Sequence, residues 1–452
     1  MFRGPDGILY RQINRVFAEK YDAFVSSGLC AALQERGLLV KHTDAPIERA
    51  LTADAYKVIA PEPIPFISYP YEWPFDLLRK AAQTTLEIQR LALKSGMTLR
   101  DASAYNIQFN AIEPVLIDTL SFEPYAEGSP WIAYGQFCRH FLAPLALMSC
   151  TDARLGQLLR NHIDGVPLEM AAAILPRRSM LSLGLLVHLH VHGNAIASHA
   201  RKGESASAQV KGRKMTRLAL QGILDNLSTT IAKMRPPSTK SHWSTYTETH
   251  RYTKSSVTAK EECIEAFISR VKPKLLMDLG ANTGQYSRLA AKQGAYVVSV
   301  EGDPACVEFC AQQADRERLR GVLPLCMDLS NPSPGLGWAH EERDSLAARG
   351  PVDMVLALAL IHHIAIANNV PFDRFLSYTS KLATHAVIEF VPKQDEQVVR
   401  LLHSREDIFD EYTEEKFVEA ASRYYEIVEQ TRLPNSGRVL YLLRVRPESG
   451  PK

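Results

Sequence analysis

The chain reads as an α/β protein in two parts: a parallel sheet covered by helices over its C-terminal half, preceded by a mainly helical α+β module. Three observations carry this reading. Downstream, short apolar runs alternate with helical patterns: LLMDLG (275–280), YVVSVEG (296–302), VLPLCMD (322–328), DMVLALALIH (353–362) and HAVIEFVP (385–392). Strands without polar alternation, interleaved with helices, are buried on both faces, as in a parallel sheet. The tail then changes character, because YEIVEQTRL (425–433) and RVLYLLRVR (438–446), joined through Pro434-Asn435-Ser436-Gly437, predict an antiparallel hairpin on the sheet edge. Upstream, residues 74–95 and much of 131–200 carry apolar residues at helical spacing, and NIQFNAIEPVLIDTLSF between them reads as a short hairpin.

Length and composition agree with this division. At 452 residues, 46% hydrophobic and 23% charged, the chain is too long for one ordinary core and too apolar to be disordered. Residues 201–240 hold nine basic and two acidic residues and end in a Pro-Pro-Ser-Thr stretch, which predicts a basic, solvated helical connector. The expected layout is an accessory domain over 1–200, that connector over 201–240, and the sheet domain over 241–452.

A net charge of +2 supplies no electrostatic footprint for a long polyanion, so no nucleic-acid partner is expected. Seven cysteines without a CxxC pair suit a reduced, cytoplasmic protein. MFRGPDGILYRQ lacks the apolar core of a signal segment, and LSLGLLVHLHVHG (181–193) is too short to span a bilayer, so no membrane partner is expected. Metal sites are not expected either. Cys306 and Cys310 lack a second pair to complete a tetrahedral set, and His188, His190 and His192 would share a face only on a strand, whereas their surroundings read as helical.

The strongest local signal is Met277-Asp278-Leu279-Gly280-Ala281-Asn282-Thr283-Gly284 at the end of the first downstream strand, with Val300-Glu301-Gly302-Asp303-Pro304 ending the second. In an open α/β sheet the ligand crevice lies outside the carboxyl ends of the strands. Gly280 and Gly284 let the backbone turn tightly, and Asn282 tolerates a left-handed conformation. Glu301 is placed to accept hydrogen bonds from two ribose hydroxyls. A dinucleotide would require a third glycine where Gln285 stands, and Asp278 adds negative potential where a phosphate would be repelled. A nucleoside carrying an amino acid and a sulfonium suits the residues better.

Residues of about 240–446 resemble a class I S-adenosylmethionine-dependent methyltransferase, because DLGANTG, VEGDP, CMDLSNP and DMVLALALIHH follow the order and spacing of that family's motifs. The tail hairpin matches its Rossmann-like, seven-stranded sheet. The similarity is closest to bacterial methyltransferases of the nodulation-protein-like group, on the upstream Trp243-Ser244-Thr245-Tyr246 and Tyr252. The resemblance implies S-adenosylmethionine as cofactor, with Asp278, Gly280, Asn282 and Gly284 at its methionine part, Glu301 at the ribose and Asp328 at the adenine. Ala281, Gly302, Leu329 and Tyr252 complete the candidate lining.

Methyl transfer from a sulfonium is an in-line displacement, so a general base is needed only for a protonated nucleophile. His362 and His363 after the fourth strand, and Glu389 on the fifth, are the catalytic candidates on the rim. The Asn/Asp-Pro-Pro-aromatic signature of many enzymes that methylate planar amino groups is absent. The expected acceptor is therefore a small molecule or a carrier-tethered biosynthetic intermediate.

In the N-terminal half, Asp101, Asn106 and Asp118 have the spacing of a phosphotransfer centre, an acid to orient a hydroxyl and an Asn/Asp pair to hold magnesium. Roughly residues 60–200 resemble the catalytic lobe of protein-kinase-like and aminoglycoside-phosphotransferase-like proteins, with departures. Leu99 stands where a histidine is usual, Thr119-Leu120 replaces Phe-Gly, and no glycine-rich loop occurs in residues 1–60. The resemblance implies a degenerate kinase-like module; the alternative from the residues themselves is a helical domain in which these three side chains cap turns. For the whole chain, a bifunctional kinase–methyltransferase and a non-catalytic binding or regulatory protein stand as alternatives to the methyltransferase.

Overall fold

A computed structural model describes residues 1–191, 193, 215–236, 254–403 and 405–447. The chain divides into two units, Met1–Ser238 and Thr239–Lys452, and each is described by itself.

The N-terminal unit begins with an antiparallel sheet of β1 (Phe2–Arg3), β2 (Leu9–Asn14), β3 (His42–Ala45) and β4 (Ala55–Pro61), in the order β1-β2-β4-β3. This sheet goes beyond the small β element expected from the sequence. Its strands mix polar with apolar side chains, as in LYRQIN, so no clean period of two marks them. Two ribbons follow, β5 (Met97–Leu99) with β8 (Phe122–Pro124) and β6 (Ile107–Asn110) with β7 (Glu113–Leu116). The β6–β7 ribbon is the hairpin expected from NIQFNAIEPVL. Helix Phe75–Lys94 anchors the unit, burying Leu78, Ala81, Leu86, Ile88 and Leu93 along one face.

The basic stretch at 201–240 requires a correction. Its described part forms helix Arg217–Lys233, capped by Thr216, whose hydroxyl accepts from Ala219 N–H. This helix is docked, not solvated: Leu220, Leu224, Leu227 and Ile231 are buried. Gln83 and Ser228 exchange two hydrogen bonds of 2.8 and 2.7 Å, and Arg90 donates to the Leu224 carbonyl at 3.1 Å. Charge density masked an apolar stripe at i, i+4, i+7 and i+11, and the helix belongs to the N-terminal unit.

The C-terminal unit is built on a seven-stranded sheet of β9 (Leu275–Leu279), β10 (Tyr296–Glu301), β11 (Val322–Cys326), β12 (Val352–Ala357), β13 (Ala383–Phe390), β14 (Tyr425–Arg432) and β15 (Val439–Val445). The order is β11-β10-β9-β12-β13-β15-β14, with the first five parallel and β15 antiparallel to both of its neighbours. The winding reverses between β9 and β12, which opens a crevice at their carboxyl ends. Below it, Leu276, Val297, Met354, Leu356, Val387 and Leu440 pack against Ile264, Phe267 and Ile268 of helix Lys254–Val271.

All seven cysteines are free. Among the described residues, no helix is long and apolar enough to cross a membrane, and no cluster of His, Cys, Asp and Glu could hold a metal ion.

Leu224 is fully buried against the N-terminal unit. Leu224→Ala is expected to destabilise that unit by about 2–5 kcal/mol, the range for truncating a buried leucine. Urea unfolding followed by circular dichroism checks this; a loss near zero would mean that the helix lies loosely on the surface.

Candidate active site

Where β9 ends, the backbone turns through three left-handed residues, Gly280 at φ 72°, Asn282 at 48° and Gly284 at 74°. The Gly280 and Ala281 amides both donate to Val300 O, at 2.9 and 3.0 Å, which ties the turn to β10. A side chain would also be crowded at two of these positions. A Cβ on Gly284 would lie 2.2 Å from Cys310 Sγ, and one on Gly280 would lie 3.0 Å from Leu360 Cδ1. The second contact shows that the loop after β12 lies against the turn.

The register pairs Ser299 with Asp278 and Glu301 with Cys326, so the ends of β9, β10 and β11 stand side by side. Glu301, at the tip of β10, brackets this edge. One of its oxygens accepts from Asn282 N–H and the other from Asp303 N–H, both at 2.9 Å. Each oxygen keeps a further lone pair for a ligand hydroxyl. Burial pushes the Glu301 carboxyl above its ordinary pKa, against the pull of these backbone donors. Gly302 follows, and a Cβ there would sit 3.7 Å from Asp328 Cα, so little side-chain bulk separates the two strand ends. Asp328 is exposed, and its Oδ1 accepts from the Ser330 amide and hydroxyl at 2.8 and 2.7 Å. Ala281 is buried and Leu329 half-buried on the same edge.

Asp278 lies beneath the turn, not on its surface. Its Oδ2 accepts from Ser287 Oγ at 2.6 Å, across to helix Gln285–Lys292. Only 2% of Asp278 is exposed, and burial raises its pKa to about 6. Tyr252 lies outside the described residues, as do Trp243 and Tyr246.

On the opposite side of the crevice, His362 and His363 follow β12 with ring centroids 4.2 Å apart. His363 opens a π-helical turn, His363–Ala367, a backbone irregularity frequent at functional sites. His362 is fully buried, and among the described residues neither ring nitrogen has a hydrogen-bond partner. Such a group calls for a ligand or a functional explanation. Burial, then the neighbouring His363, Arg438 and Lys260, hold its pKa well below the ordinary value. Burial and Arg438 bring His363 down to about 4. Both rings are therefore neutral at physiological pH.

Glu389, like the fully buried His362, departs from the expectation of a catalytic group on the rim. It is fully buried, with Oε2 accepting from Lys260 Nζ at 2.6 Å and from Ala359 N–H at 2.8 Å, and Oε1 facing Arg438 Nη1 at 3.3 Å. Burial alone would raise its pKa, but the two cations outweigh it and hold the carboxyl below its ordinary value. A carboxylate so stabilised is a weak proton acceptor.

Lys260 and Arg438 escaped the sequence reading. Lys260 comes from helix Lys254–Val271 and Arg438 from the residue before β15, both remote from Glu389 in the chain. One signal was present: Lys260 extends the apolar stripe of Ile264, Phe267 and Ile268 by one helical turn, an unusual place for an unpaired lysine.

In the N-terminal unit, Asp118 and Asn106 converge on Ser121. Its hydroxyl donates to Asp118, and Asn106 Nδ2 lies 3.5 Å from it. Asp118 also forms an ion pair with Arg11 of β2 and accepts from Leu120 N–H at 3.3 Å. Asp101 accepts from Gln136 Nε2 at 2.9 Å and Ser103 N–H at 3.0 Å. Both aspartates thus close local turns. His188 and His190 do not share a site: His188 bonds Tyr134 and Asn226, while His190 bonds Ser179.

These features define a mixed α/β protein with its candidate ligand site at the carboxyl edge of a parallel sheet. No family model matches the chain. It is 33% identical over 449 residues to nodulation protein NoeA of Rhizobium meliloti (strain 1021), covering 97% of this chain and 94% of that protein. The chain belongs to the NoeA family.

Similar solved structures include the bifunctional kinase-methyltransferase WbdD, at 18% identity over 42% of this chain with a TM-score of 0.31. The match spans only 40% of the WbdD chain. The N-methyltransferase NodS of Bradyrhizobium japonicum WM9 is similar over 42% of this chain and 97% of its own, at 10% identity and a TM-score of 0.33. Magnesium protoporphyrin IX methyltransferase (ChlM) of Synechocystis PCC 6803, solved with bound SAH, is similar over 42% of this chain and 84% of its own, at 16% identity and a TM-score of 0.31.

The buried Asp278 gives a pH-dependent expectation. Its folded pKa of about 6 lies above the unfolded value, so the folded state takes up the extra proton between about pH 4 and 6. The cost of burying the charge is therefore fully present above that window and fades below it. Asp278→Asn should melt several degrees above the parent at pH 7.5, reflecting an upper bound of about 3 kcal/mol, with the gap roughly halved at pH 5. Thermal scans at the two pH values check this; a gap that does not shrink on acidification would mean that Asp278 is not the group responsible.

Proposed function

We propose that this protein is an S-adenosylmethionine-dependent class I methyltransferase of the bacterial cytoplasm, acting on a small molecule or a carrier-tethered biosynthetic intermediate. The observation that carries the reading is the left-handed turn Gly280–Gly284 bracketed by Glu301 at the neighbouring strand end, at the switch point of a β11-β10-β9-β12-β13-β15-β14 sheet. A left-handed turn at the strand end and an acceptor carboxylate beside it fit a nucleoside, and the residues resemble those of the methyltransferase motifs. S-adenosylmethionine, when bound, supplies a methyl group activated on a sulfonium.

Each residue then has a defined task. Glu301 accepts from the ribose hydroxyls while keeping its two backbone bonds. Asp278, beneath the turn, supplies negative potential toward the methionine ammonium. Asp328 receives the adenine amino group at the end of β11. The loop after β12 packs on the turn, and His362, neutral and unpartnered among the described residues, offers a ring nitrogen that accepts a hydrogen bond from the acceptor's heteroatom and orients it for in-line transfer.

The N-terminal unit is, in this reading, a non-catalytic module. Phosphotransfer needs the Asn/Asp pair free for magnesium, whereas the Arg11 guanidinium already occupies Asp118.

S-adenosylhomocysteine is expected to bind with micromolar affinity, roughly −7 to −9 kcal/mol. Glu301→Ala should weaken it at least about tenfold, through lost charge-assisted bonds and a released turn. Titration calorimetry tests this, and no heat with folded protein would remove the assignment. With ATP and magnesium, phosphate release should be equal in the parent and in Asp118→Ala; turnover abolished by that substitution would restore the bifunctional alternative.

A further inference from the structure

The loop leaving β12 makes a turn that a residue with a side chain normally avoids, because Ala359 sits at φ 49°. One carboxylate oxygen holds it there. Glu389 Oε2 accepts the Ala359 amide at 2.8 Å and, on the same atom, Lys260 Nζ at 2.6 Å. Three residues further on stands His362.

The support behind that oxygen is deep and closed. Side-chain exposure is 7% for Lys260, 0% for Glu389 and 4% for Arg438. Arg438 bridges from Glu389 to Asp395, with Nε 2.7 Å from Oδ2 and Nη2 3.0 Å from Oδ1. Lys260 also lies 4.9 Å above the ring of Tyr286, in the helix that follows the glycine turn. Two cations and two anions thus balance one another, on pieces of chain from helix Lys254–Val271, β13, the N-cap of helix Glu396–Leu402 and the residue before β15.

A buried ion network is a poor way to gain stability, since well-packed apolar residues of similar volume usually do as well or better. What apolar residues could not supply is an acceptor for the Ala359 amide beside the fully buried Glu389. We infer that Lys260, Glu389 and Arg438 form a positioning clamp that fixes the loop 358–362 and thereby sets the place of His362. Glu389 is then a positioning residue that acts through the loop and does not take the acceptor's proton. The catalytic consequence rests on the methyltransferase reading; the structural consequence does not.

The test separates two losses. Glu389→Gln keeps an oxygen for the Ala359 amide and gives up the charge, whereas Glu389→Leu gives up both. Hydrogen exchange of a peptide covering residues 353–363 should speed up about tenfold or more in Glu389→Leu and stay near the parent rate in Glu389→Gln. With a methyl acceptor in hand, kcat should fall about a hundredfold in Glu389→Leu, as for a misplaced catalytic group, and by less than about tenfold in Glu389→Gln, with S-adenosylhomocysteine affinity retained in both.

Unchanged exchange in Glu389→Leu would overturn the clamp. So would Glu389→Gln being as inactive as Glu389→Leu while folded and binding S-adenosylhomocysteine, because the charge itself would then serve the chemistry. Should Glu389→Leu not fold, the charge-balanced Lys260→Met/Glu389→Leu variant carries the same comparison, with Arg438 still paired to Asp395. Failure of the parent protein to bind S-adenosylhomocysteine would remove the methyltransferase reading and leave the exchange result to decide the clamp.

Discussion

The carboxylate of Glu301 bonds two backbone amides at once, Asn282 on one side and Asp303 on the other, and the geometry of the crevice depends on that bracket. Parallel strands end in backbone that no ladder satisfies, and a ligand can approach only if those amides are held apart without side chains in the way. Glu301 holds the turn after β9 and the helix start after β10 at fixed separation. Val300 O, taking two amides of the same turn, reinforces the bracket from the adjacent residue. Asp303 continues it by capping helix Pro304–Arg316 through Ala305 N–H.

Two further carboxylates lie under the crevice in opposite electrostatic settings. Asp278 has a hydroxyl donor and no adjacent cation bonded to it, so burial dominates and its pKa rises. Glu389 has two cations at bonding distance, and its pKa falls. The same fold thus keeps one buried acid close to its titration point and locks another as an anion. That contrast separates a group able to respond to a charged ligand from one that serves as scaffold.

What was legible in the sequence follows from how local the cause is. Gly280, Gly284 and Glu301 could be read because a left-handed turn and a strand end are set by a few adjacent residues. The Lys260–Glu389–Arg438 network could not, since its members meet only after a helix and two strands pack, and a lone charged residue in an apolar stripe does not name its partner. The same limit applied to helix Arg217–Lys233, where local charge suggested solvent and tertiary burial of four apolar side chains decided otherwise. The first four strands were illegible for another reason, two being very short and all four too mixed in polarity to show a period. Asp101 and Asp118 had the spacing of a phosphate-handling pair, yet spacing says nothing of Arg11, which reaches Asp118 from a strand more than a hundred positions earlier in the chain.

Gly284 carries two constraints that act through different atoms, and they differ in how they would shape descent. Its left-handed φ alone would admit asparagine, as position 282 shows, but the sulfur of Cys310 fills the place a Cβ would need. Lineages should therefore drift between glycine, asparagine and aspartate at 282 while 284 stays glycine for as long as 310 carries a side chain larger than alanine. Shrinking position 310 first would open an evolutionary route at 284 that is closed in the reverse order, making the history of this turn dependent on a buried residue of helix Pro304–Arg316.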